Sequence, residues 1–241
     1  MIHLENVTKR YGEVTAVSNL TLHIEKGELF GFIGPNGAGK TTTTKLIVGL
    51  LRPTSGNILV DGTDVQQAPE KAKSKIGYIP DSPYIYQSLT GREFLRFIGD
   101  LYGMKDSEIE SKTGELFEYM EIGRWADSRV EEYSHGMRQK IVICSALIHD
   151  PAVILVDEPM VGLDPKSARK VKETFKNRVQ NGTAVFVSTH SLSVAEEICT
   201  RVGVIDKGRL VAIGTMDDFR KASKSGAKSL EDIYMEITEG G

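Results

Sequence analysis

Between an apolar run, Leu29-Phe30-Gly31-Phe32-Ile33, and a helix-period segment from Thr41 to Leu51 stands Gly34-Pro35-Asn36-Gly37-Ala38-Gly39-Lys40-Thr41. No other stretch of the chain restricts its fold so tightly. It fits G-x-x-x-x-G-K-[ST], and strand, glycine-rich loop and helix start follow in the order that holds phosphate. The glycines let successive backbone N–H groups curl around a phosphate chain, while the helix points its positive dipole end at it. The pattern predicts a nucleoside triphosphate site. Gly34 to Thr41, with Thr42 next in the helix, contact the nucleotide; Lys40 reaches the β- and γ-phosphates, and the Thr41 hydroxyl holds Mg²⁺.

The segments on either side decide what kind of sheet carries this loop. Ile2, Leu4 and Val7, then Val14, Val17, Leu20, Leu22 and Ile24, alternate as antiparallel strands joined at Tyr11-Gly12-Glu13. Pro53-Thr54-Ser55-Gly56 breaks the chain, Asn57 to Asp61 is a further strand, and Ile76 to Pro80 a short buried one. From Thr90 to about Met120 apolar residues fall at helical spacing with no strand between them, as in an insertion. Strands at Val153–Val156, Ala184–Val187, Val202–Ile205 and Leu210–Ile213 then alternate with helices near Ser167–Val179 and Val194–Cys199. That rhythm predicts an α/β fold: a mostly parallel sheet covered on both faces, an N-terminal antiparallel β-subdomain, and a helical subdomain inserted at about 84–150. The main domain is expected over 1–214. Residues 215–241 read as a polar tail with a flexible joint from Ser223 to Ser229 and a short amphipathic helix, Leu230 to Ile237.

Two further constellations carry chemistry. Four apolar residues run into Asp157-Glu158, so two acids emerge at a strand's C-terminal edge, where such sheets bind ligands. Asp157 suits a Mg²⁺ shell, and Glu158 the orientation or deprotonation of an attacking water. Ser188-Thr189-His190 closes another strand at the same edge, placing His190 to hydrogen-bond a γ-phosphate or that water. Tyr133 to Lys140 precedes a long apolar-periodic helix, with Ser134 as natural cap and Gly136 permitting close approach. Spacing alone leaves two readings of it, a helix cap or a second anion site at a helix N-terminus.

Together these elements resemble the nucleotide-binding subunit of ATP-binding-cassette (ABC) transporters, over essentially the whole stretch from Ile2 to about Ile213. Gly34 to Thr41 is similar to that family's Walker A loop and Val153 to Glu158 to its Walker B strand. Gly162-Leu163-Asp164 resembles the D-loop and His190 the switch histidine, and Tyr133 to Lys140 stands in the place of the Leu-Ser-Gly-Gly-Gln signature. The resemblance implies a P-loop NTPase core that binds ATP and Mg²⁺. Lys40, Glu158 and His190 are then catalytic, Tyr11 stacks on adenine, and Ser134, Gly136 and Asp164 join the nucleotide contacts across a head-to-tail dimer. It implies a homodimer, or a closely related heterodimer, that closes on ATP and drives a separate transmembrane permease subunit. The ending Ser229 to Thr238 resembles the drug, lipid and natural-product export group. The segment from Tyr84 to Phe97, expected to be helical, would flank the groove that receives the membrane partner. Two positions depart from the family: the signature carries Tyr133, His135 and Met137, and Asp81 replaces the usual glutamine after Ile76–Pro80. An aspartate there keeps a metal-shell contact but shortens the reach and adds charge.

Composition narrows the partners. A net charge of −3 argues against a nucleic-acid binder, which usually shows a basic excess. The N-terminus has no leader-like pattern and no apolar run approaches the ~20 residues that span a bilayer. The expectation is a cytoplasmic protein, peripheral on the inner face of the cell membrane. The two cysteines, Cys144 and Cys199, lack metal-ligand spacing and read as buried reduced thiols. Two other readings stay open here: a soluble cassette ATPase without transport, and a sensor or immunity module that gates a membrane protein.

Overall fold

Two strands that bury every second side chain begin the molecule. The computed structural model describes residues 1–82, 84–158, 160, 162–223 and 229–239. β1 (Ile2–Tyr11) and β2 (Val14–Ile24) pair as an antiparallel hairpin, with Tyr11 opposite Val14. Leu4 and Val7 are both buried although an odd step separates them, and so are Val17 and Leu20. In a regular strand that step would turn one of each pair to solvent. Asn6 and Asn19, both with φ 49°, take up the extra residue as bulges, and asparagine tolerates that left-handed backbone. β4 (Ser55–Val60) lies on the other side of β1 and β5 (Thr63–Asp64) beyond it, giving the order β2-β1-β4-β5.

The second sheet has the order β10-β9-β3-β8-β7-β6, formed by β3 (Leu29–Ile33), β6 (Ile76–Ile79), β7 (Val153–Asp157), β8 (Ala184–Thr189), β9 (Arg201–Asp206) and β10 (Arg209–Gly214). β9, β3, β8, β7 and β6 run parallel, and β10 is antiparallel at one edge. Every residue of β3, β7 and β8 is buried, as expected for strands covered on both faces. Alternation divides them between two cores. Phe30, Phe32, Leu155 and Phe186 pack against the antiparallel sheet and α1 (Lys40–Ile47). Ile33, Val156, Val185 and Val187 pack against helices on the opposite face.

Those helices begin between β6 and β7. After α2 (Pro69–Lys73), which precedes β6, come α3 (Gly91–Leu101), α4 (Asp106–Tyr119) and α5 (His135–Leu147), with no strand among them. Phe94, Leu95, Ile109 and Phe117 share one core with Ile79 and Ile154, so the insertion packs continuously with the sheet. α6 (Pro165–Gln180) and α7 (Leu192–Ile198) follow β7 and β8, and α8 (Met216–Ala222) and α9 (Leu230–Glu239) close the described chain.

Three elements depart from the sequence reading. The expected helix from Tyr84 to Phe97 starts only at Gly91, so Tyr84, Ile85 and Tyr86 lie in a loop. The boundary is a capping box: Thr90 Oγ1 accepts from the Glu93 N–H while the Glu93 carboxylate accepts from the Thr90 N–H. α1 ends at Ile47 rather than running on to Leu51, because the N–H groups of Leu50 and Leu51 both turn back to the Lys45 carbonyl. The tail read as polar holds α8, capped by Thr215 and Asp218. The expected joint from Ser223 to Ser229 falls largely on residues 224–228, outside the described residues.

Candidate nucleotide site

β3 delivers the chain to the glycine-rich loop at the C-terminal edge of the parallel sheet. Glycine is needed there for two separate reasons. A Cβ on Gly34 would lie 2.2 Å from the Ile205 carbonyl oxygen, and Gly39 sits at φ 109° with the Ala16 carbonyl 2.5 Å from where its Cβ would be. Gly39 is also the N-cap of α1, supplies no side-chain cap, and the first turn has no acid, so the first N–H groups are left for an anion. Lys40 is buried, its Nζ donating to the carbonyls of Gly34 at 2.7 Å and Pro35 at 3.1 Å. Burial pushes its pKa down, and the carboxylates of Glu158 and Asp157 pull it back up.

The two acids arrive from the neighbouring strands. In the sheet β8 lies between β3 and β7, with Ile33 opposite Thr189 and Asp157 opposite Ser188, so all three strand ends come out side by side. Asp157 is 2% exposed; burial raises its pKa, the Ser188 and Thr41 hydroxyls beside it lower it, and the charges of Glu158 and Asp81 raise it again. Glu158 has φ 52°, a left-handed conformation that costs a non-glycine residue roughly 1–3 kcal/mol. Its N–H is bonded to the Ser188 carbonyl at 2.9 Å, and its carboxylate is held from the end of β8. Oε1 accepts from the His190 N–H at 2.9 Å and lies 2.7 Å from His190 Nδ1, while Oε2 accepts from the Thr189 hydroxyl at 2.9 Å. The sequence pointed to Glu158 and His190 separately; the Thr189 bond depends on strand order and was not legible in it.

Asn36, Gly37, Gly39, Lys40, Thr41, Thr42, Asp81, Asp157, Glu158 and His190 line one cavity of about 340 Å³. Gly34, Pro35 and Ala38 shape the loop behind it, Ala38 through its N–H to the Pro35 carbonyl. Tyr11 stands at the hairpin tip, 47% exposed with Lys9 Nζ 5.1 Å from its ring centroid, and does not line the cavity, whereas Ala16 on the same hairpin does. Among the described residues no three His, Cys, Asp or Glu side chains converge closely enough to hold a metal by themselves. The oxygen donors Thr41 and Asp157 nevertheless fit a hard cation that takes its remaining ligands from phosphate and water.

Ser134, Gly136 and Asp164 do not reach this cavity. Ser134 caps α5, its hydroxyl accepting from the Met137 N–H at 3.3 Å. Asp164 caps α6, accepting from Ser167 N–H and hydroxyl, which hold its carboxyl below the usual range. The two segments meet through glycine: a Cβ on Gly162, at φ 77°, would lie 2.0 Å from His135 Nε2. Asp81, His135, Arg138 and Gln139 border a second cleft of about 270 Å³ alongside.

Residues 17–161 match the family model described as ABC transporter. The chain belongs to the ABC transporter family. The linearmycin resistance ATP-binding protein LnrL of Bacillus subtilis is 40% identical over 241 residues, covering 100% of this chain and 76% of that protein. The Nod factor export ATP-binding protein I of Cupriavidus metallidurans is 35% identical over 214 residues, covering 89% of this chain and 71% of the relative. A solved ATP-binding subunit of an ABC transporter superposes with a TM-score of 0.94 at 32% identity, covering 99% of both chains. A dimeric ATP-binding cassette in a post-hydrolysis state with ADP and Pi superposes at 0.81 and 28% identity, over 89% of this chain and 98% of that one. This ABC cassette is therefore an ATPase with the P-loop NTPase fold, and no helix among its described residues is long and apolar enough to cross a membrane.

Proposed function

We propose that this ABC ATPase powers an exporter: it closes on ATP as a head-to-tail homodimer and works a separate transmembrane permease from the inner face of the membrane. The observation that carries the catalytic half is the gathering of Lys40, Asp157, Glu158 and His190 around one cavity, with the Glu158 carboxylate bonded on both oxygens. Lys40 and the free N–H groups of α1 bind and orient the phosphates. Thr41 and Asp157 would hold Mg²⁺, with Asp81 adding negative charge to the same wall; the ion supplies positive charge beside the phosphate oxygens. Glu158 takes a proton from the attacking water, and His190 steadies the carboxylate and reaches toward the γ-phosphate. Tyr11, on the hairpin that also brings Ala16 to the cavity, offers its half-exposed ring to adenine.

Ser134, Gly136 and Asp164 complete the site of the second copy. That they do not line the cavity of their own chain supports that reading, as does the dimeric state of the solved relative with ADP and Pi. The relatives named for linearmycin resistance and Nod factor export support export as the direction.

Glu158→Gln tests the catalytic assignment. ATP binding is expected to persist while turnover falls on the order of 10²-fold or more, the scale of general-base assistance. An ATP-stabilised dimer is expected to accumulate in size-exclusion chromatography. Turnover at the parent rate in the variant would remove Glu158 from the role of base.

A further inference from the structure

A carboxylate on a flexible side chain is an effective base only when one of its lone pairs is held toward the water. Glu158 has three rotatable side-chain bonds and sits just past the end of β7, so its backbone does not fix that direction. Three donors among the described residues do: Oε1 receives the His190 N–H and ring Nδ1, at 2.9 and 2.7 Å, and Oε2 receives the Thr189 hydroxyl, at 2.9 Å. A carboxylate offers about four acceptor positions. Oε1 is doubly occupied, so the lone pair left over is on Oε2, and Thr189 decides which way it faces.

The Thr189 hydroxyl has its own direction set. Its oxygen accepts from the Ser191 N–H at 3.0 Å, which turns its proton toward Glu158. The residue is 1% exposed, and Ile33 lies directly opposite it on β3. A β-branched side chain in a buried central strand is stiff about χ1. His190 differs, with 60% of its side chain exposed, against 16% for Glu158. One side-chain support of the carboxylate is thus rigid and inside the sheet, and the other, the His190 ring, stands largely exposed at the cavity wall.

We propose that Thr189 is a positioning residue for ATP hydrolysis, its hydroxyl turning the free lone pair of Glu158 Oε2 into the nucleotide cavity. The inference rests on the reading of Glu158 as base. A plain structural role competes with it, since the same hydroxyl receives the Ser191 N–H at the start of α7 and forms a local turn there.

Steady-state hydrolysis of MgATP, with nucleotide binding followed by calorimetry, separates the two. Thr189→Val keeps the branched shape and removes the hydroxyl; Thr189→Ser keeps the hydroxyl. The expected result for Val is a kcat lower by about ten- to a hundredfold, the range for one hydrogen bond to a charged group, with KM and MgATP affinity within about twofold. Serine is expected to restore kcat to within a few-fold. Thr189→Ala is the second hydroxyl-free variant. If Val and Ala both lose nucleotide binding along with turnover, the hydroxyl is structural and the proposal is overturned; a Val variant with the parent kcat overturns it as well. Adding Thr189→Val to Glu158→Gln is expected to cost nothing further, because the group being positioned is already gone. The two readings fail differently. Glu158→Gln turning over normally removes the base itself, whereas a slow Glu158→Gln beside a normal Thr189→Val removes only the positioning role.

Discussion

His149 lays its ring flat on Tyr102, centroids 3.6 Å apart and planes 8° from parallel, and both side chains reach the Ile76 carbonyl. A carbonyl can only accept, so His149 Nε2 carries the proton. Nδ1 is left bare and buried, with no partner among the described residues. Burial pushes its pKa from 6.5 down to about 4. Between those values the unfolded chain binds a proton that the folded one refuses, so stability is lost as pH falls from about 6.5 toward 4. The slope for one such group is about 1.4 kcal/mol per pH unit at most. His149→Phe keeps the stack and removes the titration, so a plot of unfolding free energy against pH is expected to flatten in that window. An unchanged slope would show that His149 does not govern it. The cysteines behave as the sequence suggested: Cys144 and Cys199 are free and buried, and burial pushes both thiols up to about 12. Neither offers a thiolate near neutral pH.

At the scale of elements, α5 is the segment proposed to act on a second copy of the chain. If Ser134 serves the ATP of a second copy, Ser134→Arg places a bulky cation at a helix N-terminus, where it blocks an anion and opposes the dipole. ATP-driven dimerisation and turnover are then expected to vanish, while ATP binding by the monomer stays near normal because Ser134 does not line its own chain's cavity. Size-exclusion chromatography with calorimetry checks both halves; a variant that dimerises and hydrolyses ATP normally would leave Ser134 as a helix cap only. How well each element could be read from sequence follows from the range of the forces that make it. The β3–loop–α1 order and the acids at the end of β7 are set by neighbours in sequence, and they appear in the expected order, although α1 stops at Ile47. The helix expected from Tyr84 to Phe97 begins only at Gly91 because the Thr90–Glu93 capping box sets its start. The same kind of box, Thr215 with Asp218, made α8 legible in principle, and the polar composition hid it. The bond from Thr189 to Glu158 could not be read at all. It requires β7 and β8 to be neighbours in register, which no local pattern states.

Across the whole molecule the C-terminal segment packs back onto α7 and α8. Leu230 and Ile233 are 0% and 2% exposed, in one core with Ala195, Ile198 and Phe219, and the Leu230 N–H is bonded to Glu196 of α7. α7 in turn begins at Leu192, with its cap Ser191 next to His190. Leu230→Ala is expected to weaken this docking by about 2–5 kcal/mol, the usual cost of such a truncation in a core. The loss should be local, so hydrogen exchange of the α8 and α9 amides is expected to accelerate while β3, β7 and β8 remain protected. Uniform acceleration across the sheet would mean that the tail is part of the global cooperative unit. The order of the parallel strands has a consequence for how the chain is made. β8 lies between β3 and β7, yet it leaves the ribosome after both. Until Thr189 has emerged, β3 and β7 each present a bare, apolar edge, the kind of surface that pairs with other chains. The phosphate loop therefore waits, half-walled, for a strand translated long after it, and a chain stopped short of β8 is expected to aggregate rather than to bind nucleotide weakly.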